Sequence, residues 1–349
     1  MGRAACPGTL GRVSTMHAVA YTENLPVEDE RSLVDVELPL PEPGPQDLLI
    51  DVRAVSVNPV DVKLRVGKPV DAPTVLGFDG AGVVVAAGAE VVGFSQGDEV
   101  MWAGSIARPG SNAERQVVDH RIVGRKPASL SFAEAAALPL TTITAWESLF
   151  EVLALHPGEV TEGGALLVTA AAGGVGSIAL QLARLLTGAT LIGTASRPES
   201  QAWAREMGAH HVVDHHVDLV AQVRAIAPDG VERILSSGHT DTHFDAFVQV
   251  AASRGRIVAI DEPEGLDTLP LKDKSVSFTW EFMQTRVLEG GPDLGLHGRI
   301  LDETARRVDA GALRTTATRE LSGITAATLR EAHALVEDGS MVGKVVLAR

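Results

Sequence analysis

A chain of 349 residues is too long for one ordinary hydrophobic core and suits two domains of common size. Its apolar fraction of 45% is that of a folded protein, and its formal charge of −15 excludes nucleic acid or an anionic membrane surface as the main partner, since both select a clustered basic face. No apolar run approaches the roughly 18 residues of a membrane span, and the single cysteine, Cys6, rules out an internal disulfide and fits a reducing cytoplasm. Residues 1–15 show neither the apolar stretch of a signal peptide nor a helix or strand period. They read as a disordered leader or start-site extension, and the patterned sequence begins at Met16.

From Met16 to about Pro127 the texture is short strands and turns without helices. Ile50, Val52 and Ala54 alternate with Asp51 and Arg53, the period of a half-buried strand. Gly77, Gly80, Gly82, Gly88, Gly93 and Gly97 then punctuate β-branched runs, as in a strongly curved sheet. After about residue 138, apolar strands at 165–170, 190–195, 211–214, 232–236 and 255–260 alternate with helical segments, and a sixth strand is expected at 275–282. That alternation predicts a parallel, doubly wound α/β sheet. The helix after its first strand carries Ile178, Leu182, Leu185 and Leu186 on one apolar face. Segment 286–349 reads as a helix near 300–310, a strand near 314–318, a helix near 325–337 and a last strand at 343–347. Such a terminal strand needs a sheet to join, and the N-terminal β unit is the natural acceptor.

Residues 170–176 read Ala-Ala-Ala-Gly-Gly-Val-Gly, between the first strand of the α/β region and its amphipathic helix. Glycines there let backbone N–H groups approach a pyrophosphate, whose charge the helix N-terminus stabilises. Ala171 stands where G-x-G-x-x-G has its first glycine; the competing reading is a plain tight turn. At the end of the second strand, where an NAD site keeps an acidic residue, stand Ser196 and Arg197. A hydroxyl and a guanidinium suit the 2′-phosphate of NADPH. The alternative leaves Arg197 in solvent, with Glu199 serving NAD.

Beyond this loop, Val57-Asn58-Pro59-Val60-Asp61-Val62-Lys63, Leu76-Gly77-Phe78-Asp79-Gly80-Ala81-Gly82-Val83, the segment from Leu138 to Glu147, the segment from Lys274 to Met283 and the ending Gly343-Lys344 occur in order. In these the chain, from Met16 to Arg349, resembles the medium-chain dehydrogenase/reductase superfamily, and within it the quinone-oxidoreductase-like branch often labelled zinc-type alcohol dehydrogenase-like. The resemblance implies a Rossmann domain over 139–285 clasped by a GroES-like β-rich catalytic domain built from 16–138 and 286–349. It implies hydride transfer from NADPH to a quinone or an α,β-unsaturated carbonyl in the cleft between them. Zinc-free alcohol or aldehyde reduction, and a non-catalytic NADPH-binding role of the crystallin kind, are the alternatives. Cofactor contacts are expected from Thr144, Ala171, Gly173, Gly174, Val175, Gly176, Ser196, Arg197, His215, Ser237, His239, Ile260 and Lys344. A homodimer through the strand at 276–282 is expected as well.

Zinc relatives place a Cys ligand at the position of Asn58, a His ligand at that of Phe78 and a second Cys within the segment matching 138–142; all three are replaced here. The segment between Val100 and Val117, which would match the structural zinc lobe, has no cysteine. No metal is therefore expected. The pairs His211/His215 and His239/His243 have helical ligand spacing, but the first falls on a strand end and the second at a helix start capped by Thr240-Asp241. Without zinc, the charge developing on the substrate oxygen needs other donors. Asn58 and Lys63 are the candidates, with a turn-capping Asn58 and a solvated Lys63 as the plain alternative; Val60 replaces the relatives' hydroxyl relay.

Overall fold

Alternating side chains build the N-terminal strands, and glycine and proline set the turns between them. The computed structural model describes residues 14–158 and 164–349; of the leader expected at 1–15, residues 1–13, with Cys6, lie outside them, and Thr15 already belongs to the first strand. In chain order come β1 (Thr15–Tyr21), β2 (Val34–Pro39), β3 (Asp47–Ser56), α1 (Pro59–Gly67), β4 (Thr74–Val75), β5 (Gly80–Ala87), β6 (Glu99–Trp102), β7 (Arg115–Asp119) and β8 (Val123–Arg125). The helix α1 corrects the helix-free expectation for this region. Its start was legible: Asn58 is the N-cap, Pro59 takes the first turn, and the Asp61 carboxylate accepts the Asn58 N–H at 2.8 Å.

Short helices α2 (Phe132–Ala136) and α3 (Pro139–Trp146) lead into the second unit. There β9 (Ala165–Val168), α4 (Gly174–Leu186), β10 (Thr190–Thr194), α5 (Pro198–Glu206), β11 (His211–Val213), α6 (Leu219–Ile226), β12 (Val231–Ser236), α7 (Thr240–Val250), β13 (Ala251–Ala259) and β14 (Ser277–Trp280) alternate. The sheet order is β11-β10-β9-β12-β13-β14, every pair parallel. Counted from β9 this is 3-2-1-4-5-6, the dinucleotide-binding arrangement. On α4, Ile178 and Leu182 are fully buried but Leu185 is 40% exposed, which corrects the expected face. Ala179 and Ala183 complete the buried side, and their small side chains let α4 lie close to its neighbours.

The chain ends with α8 (Gln284–Glu289), α9 (Leu296–Asp309), β15 (Ala317–Ser322), α10 (Ala326–Glu337) and β16 (Lys344–Ala348). β16 pairs antiparallel with β3, so the last strand lies in the seven-stranded sheet that holds β3, β5, β6, β7 and β8, while β1, β2 and β4 form a separate three-stranded sheet. Among the described residues no helix is long and apolar enough to cross a membrane.

α1 and α10 are joined through a buried cation. The Arg65 guanidinium pairs with Glu337 and donates to the Leu25 carbonyl, and its Nε donates to His333 Nδ1 at 3.3 Å. Burial, reinforced by the charge of Arg65, pushes His333 down to about 3. The unfolded histidine, at an ordinary value of 6.5, binds a proton between those values that the folded one refuses. This contribution to stability is complete above pH 6.5 and is lost as pH falls toward 3. The unfolding free energy from urea denaturation should fall between about pH 7 and pH 4 by on the order of a few kcal/mol, and His333→Gln should flatten that slope; an unchanged slope in the variant would place the acid sensitivity elsewhere.

Candidate active site

The glycine loop joins the carboxyl end of β9 to α4, where a ligand phosphate meets the helix dipole. Ala170 adopts a left-handed φ of +45°, turning the chain sharply. A Cβ on Gly176 would stand 2.5 Å from the Ala170 carbonyl, so only glycine fits. Gly173 caps α4 without any side chain, which leaves the first-turn N–H groups for a ligand. Ala171 in place of the usual glycine is accommodated from the neighbouring strand: a Cβ on Gly193 of β10 would lie 2.8 Å from the Ala171 Cβ.

Other expected cofactor residues follow the carboxyl ends of the parallel strands. Ser196 and Arg197 follow β10, His215 follows β11, Ser237 follows β12 and Ile260 follows β13. The Ser237 N–H donates to Thr169 Oγ1 at 2.9 Å while its own hydroxyl is buried without a partner. Arg197 is exposed, and its guanidinium donates to the Ser340 carbonyl. Thr144 is buried in α3, and Val175 is half-buried in the first turn of α4. His239, rather than Thr240, is the N-cap of α7 and holds φ +56°; the Thr240 N–H goes to Asp261 at 3.0 Å. The His243 N–H donates to the His239 carbonyl at 3.2 Å, a backbone bond of the helix, while the His215 ring meets those of His216 and His243.

Asn58 is 1% exposed, and both ends of its amide are used inside the protein. Its Oδ1 accepts from Lys344 Nζ, and its Nδ2 donates to Asp79 Oδ2 at 2.8 Å. Lys344 Nζ also donates to the Val57 carbonyl at 3.0 Å and lies 3.3 Å from Asp79 Oδ2. Ser56 Oγ donates to the same carboxylate at 2.7 Å, and the Leu140 N–H to its other oxygen at 2.7 Å. Burial pushes Asp79 up and Lys344 down, each opposed by the charge of the other. Asp61 beside them is pushed up to about 7 by burial, although it accepts N–H groups from Asn58 and Gly77.

This geometry corrects two expectations. Asn58 is a wall of the site bound into a buried knot, not a free donor. Lys344 meets the glycine loop through its stem, not its ammonium: a Cβ on Gly174 would come within 2.8 Å of Lys344 Cδ, and the residue before it, Gly343, donates its N–H to the Ala172 carbonyl at 2.8 Å. Lys63 lies on α1, not at a strand end, with an exposed head paired to Glu262 beyond β13. Ser56, Asp79 and Glu262 escaped the sequence reading; Asp79 stood inside a quoted motif, but nothing local shows which distant charge it meets.

Residues 44–147 match the alcohol dehydrogenase GroES-like domain family, and residues 174–286 match the zinc-binding dehydrogenase family. A zinc-type alcohol dehydrogenase-like protein of Staphylococcus aureus (strain MSSA476) is 38% identical over 336 residues, covering 95% of this chain and 99% of that one. The chain belongs to the medium-chain dehydrogenase/reductase superfamily, in its quinone-oxidoreductase-like branch. The crystal structure of a Rhizobium etli CFN 42 protein named as a zinc-dependent alcohol dehydrogenase superposes with a TM-score of 0.92 at 49% identity, over 96% of this chain and 98% of that one. The quinone oxidoreductase of Pseudomonas syringae pv. Tomato DC3000 superposes with a TM-score of 0.82 at 27% identity, over 96% of this chain and all of that one (100%). Enzymes of this superfamily bind a nicotinamide dinucleotide, and the loop and strand ends described above fit one.

Zinc does not fit the residues present. The Asn58 oxygen already faces an ammonium, Phe78 offers no donor, and a second cation would stand against the first. Among the described residues no group of three or more His, Cys, Asp or Glu could hold a metal ion. If the Lys344 ammonium holds this wall, Lys344→Met strands Asp79 as a buried, unpaired carboxylate and should lower the unfolding free energy by about 3–5 kcal/mol. Glu262→Gln, which breaks only the exposed pair with Lys63, should leave the unfolding midpoint nearly unchanged. Urea denaturation of both variants checks this, and a Lys344→Met protein as stable as wild type would contradict it.

Proposed function

We propose that this member of the superfamily is a cytoplasmic, zinc-independent reductase that uses NADPH to reduce a conjugated carbonyl, either a quinone or an α,β-unsaturated ketone or aldehyde. The observation that carries the reading is the Asn58–Lys344–Asp79 knot at the position where zinc relatives bind metal. Reduced nicotinamide supplies the hydride. An isolated ketone would then become a localised alkoxide, which calls for a Lewis acid. A conjugated acceptor spreads the charge into an enolate or hydroquinone anion, for which hydrogen bonds and one cation are enough. The likeness to a quinone oxidoreductase supports the same class.

Each part of the chain then has a task. The glycine loop and α4 hold the pyrophosphate, and Arg197 with Ser196 favours the 2′-phosphate. We assign Lys63 as the cation that meets the developing anion, with Glu262 as the partner it leaves when substrate enters. Asn58 keeps the wall rigid. Oxidation of NADPH and of NADH should be followed against quinones, enones, enals and simple ketones. Conjugated acceptors should be reduced at least tenfold more efficiently than ketones, with NADPH preferred and chelators without effect. Ketone reduction that is lost with a chelator would overturn the reading.

We also propose a homodimer formed through β14. This strand is one of the two outer strands of its sheet, and it carries Trp280 at 55% exposure, with Phe282 at 49% just beyond. An apolar strand edge of that kind pairs across a two-fold axis. Sedimentation should show a dimer at micromolar concentration and a shift toward monomer for Trp280→Lys; a wild-type monomer would refute the assembly.

A further inference from the structure

The chain between β6 and β7, residues 103–114, forms no helix or strand, so its backbone groups need partners elsewhere. Several lie on residues 76–79. The Gly104 N–H donates to the Phe78 carbonyl at 3.3 Å, the Ser111 N–H to that of Gly77 at 2.9 Å and the Asn112 N–H to that of Leu76 at 3.0 Å. Ser111 Oγ adds a bond to the Asp79 carbonyl at 2.7 Å. The consecutive carbonyls from Leu76 to Asp79 are thus all taken by this one loop. The approach is close: a Cβ on Gly110 would stand 2.2 Å from the Leu76 carbonyl oxygen, and one on Gly77 would stand 2.5 Å from Ser111 Oγ. Phe78 occupies the position of the zinc relatives' His ligand, and the Asp79 carboxylate holds Lys344 and Asn58. The loop therefore backs the substrate wall.

Two glutamine amides hold the outer part of this loop. Gln116 ties it to its own sheet, donating to the Pro109 carbonyl at 3.0 Å and accepting the Trp102 indole N–H at 2.7 Å. Gln284 grips it from the segment that leaves the α/β sheet after β14. This residue opens α8 and is 2% exposed; its Nε2 donates to the Gly104 carbonyl at 3.1 Å, and its Oε1 accepts the Ile106 N–H at 3.2 Å. An amide presents a donor and an acceptor side by side, and both are used here. The helix that carries Gln284 is itself fixed. Two residues on, Arg286 donates to Glu147 at 3.0 Å and to Glu151 at 2.8 Å, just beyond α3.

We propose that Gln284 is a positioning residue for hydride transfer: through loop 103–114 it sets the place of Phe78 and Asp79 relative to the α/β unit, whose strand ends hold the cofactor. The inference rests on the reductase reading above and adds a residue to it. The Gln284 amide is spent on Gly104 and Ile106, so it acts through the loop. Without it a buried carbonyl and a buried N–H lose their partners, and the loop shifts to satisfy them. Residues 76–79 follow, because the same loop bonds each of their carbonyls. Hydride transfer is steep in distance and angle, and a displacement on the order of 1 Å costs about a hundredfold in rate.

The test is Gln284→Met in the whole protein, which keeps the length of the side chain and removes both bonds, beside Ser111→Ala, which cuts one bond at the wall. With benzoquinone or methyl vinyl ketone as acceptor, Gln284→Met should lower kcat by about ten- to a hundredfold and leave the Kd for NADPH within about twofold. The double variant should be about as slow as the slower single one, since both act on one path. Hydrogen exchange of the Ser111 and Asn112 amides should be at least about tenfold faster in Gln284→Met, with β9 and α4 unchanged. If Gln284→Met does not fold, Gln284→Glu, which keeps the shape and the acceptor for Ile106, carries the same measurements. Unchanged kcat would overturn the proposal, as would losses that multiply in the double variant or faster exchange confined to Ile106. A wild-type protein that reduces neither acceptor would remove the reductase reading, and the exchange at Ser111 and Asn112 would still decide whether Gln284 holds the wall.

Discussion

An ammonium that is 5% exposed is tolerated in a protein only where carbonyl and carboxylate oxygens replace its water, and Lys344 finds them on Val57, Asn58 and Asp79. Those partners lie at the end of β3, at the cap of α1 and just before β5, while Lys344 itself begins β16. One cation thus ties four places in the chain into a single wall. The same segment fixes the height of the cofactor loop, because Gly343 binds the Ala172 carbonyl and the lysine stem lies under Gly174. Substrate wall and pyrophosphate loop are positioned by one side chain and the residue before it.

A second group of buried charges lies between α3 and the C-terminal helices. Burial alone would raise Glu147, but His297 at 3.1 Å and Arg286 at 3.0 Å outweigh it and hold the carboxylate below its usual range. Glu281, buried nearby, is pushed well up by desolvation and then by the charge of Glu147, so it keeps its proton. One oxygen of Glu281 has no partner. An acidic chain can bury two carboxyl groups this close only if one stays neutral.

Much of the fold was legible in local patterns. Alternation, β-branched runs and turn residues located the six parallel strands, since their period and their glycine boundaries are properties of short segments. The loop at 170–176 was recognisable because its glycines stand between a strand and a helix; Gly176 is required by the loop's own Ala170 carbonyl, whereas Gly174 is required by the distant Lys344 stem. The helix α1 was missed even though Asn58-Pro59 and Asp61 spell its cap, and Leu185 was assigned to a face that the packing of α4 leaves in solvent.

The roles of polar residues were not legible in the same way. Sequence offered Asn58 and Lys63 as an amide and an ammonium five positions apart, on residue type and spacing. Tertiary structure sent Asn58 to Lys344 and Lys63 to Glu262, each across more than a hundred residues of chain. It likewise brought the rings of His215, on a loop, and His243, on α7, to 5.7 Å between centroids. Backbone conformation and apolar patterning are settled by neighbours in the chain, so the sequence by itself determined the parallel sheet and its glycine loop. The state and purpose of a buried charge depend on which opposite charge the fold brings within a few ångströms, and only the tertiary structure decided that.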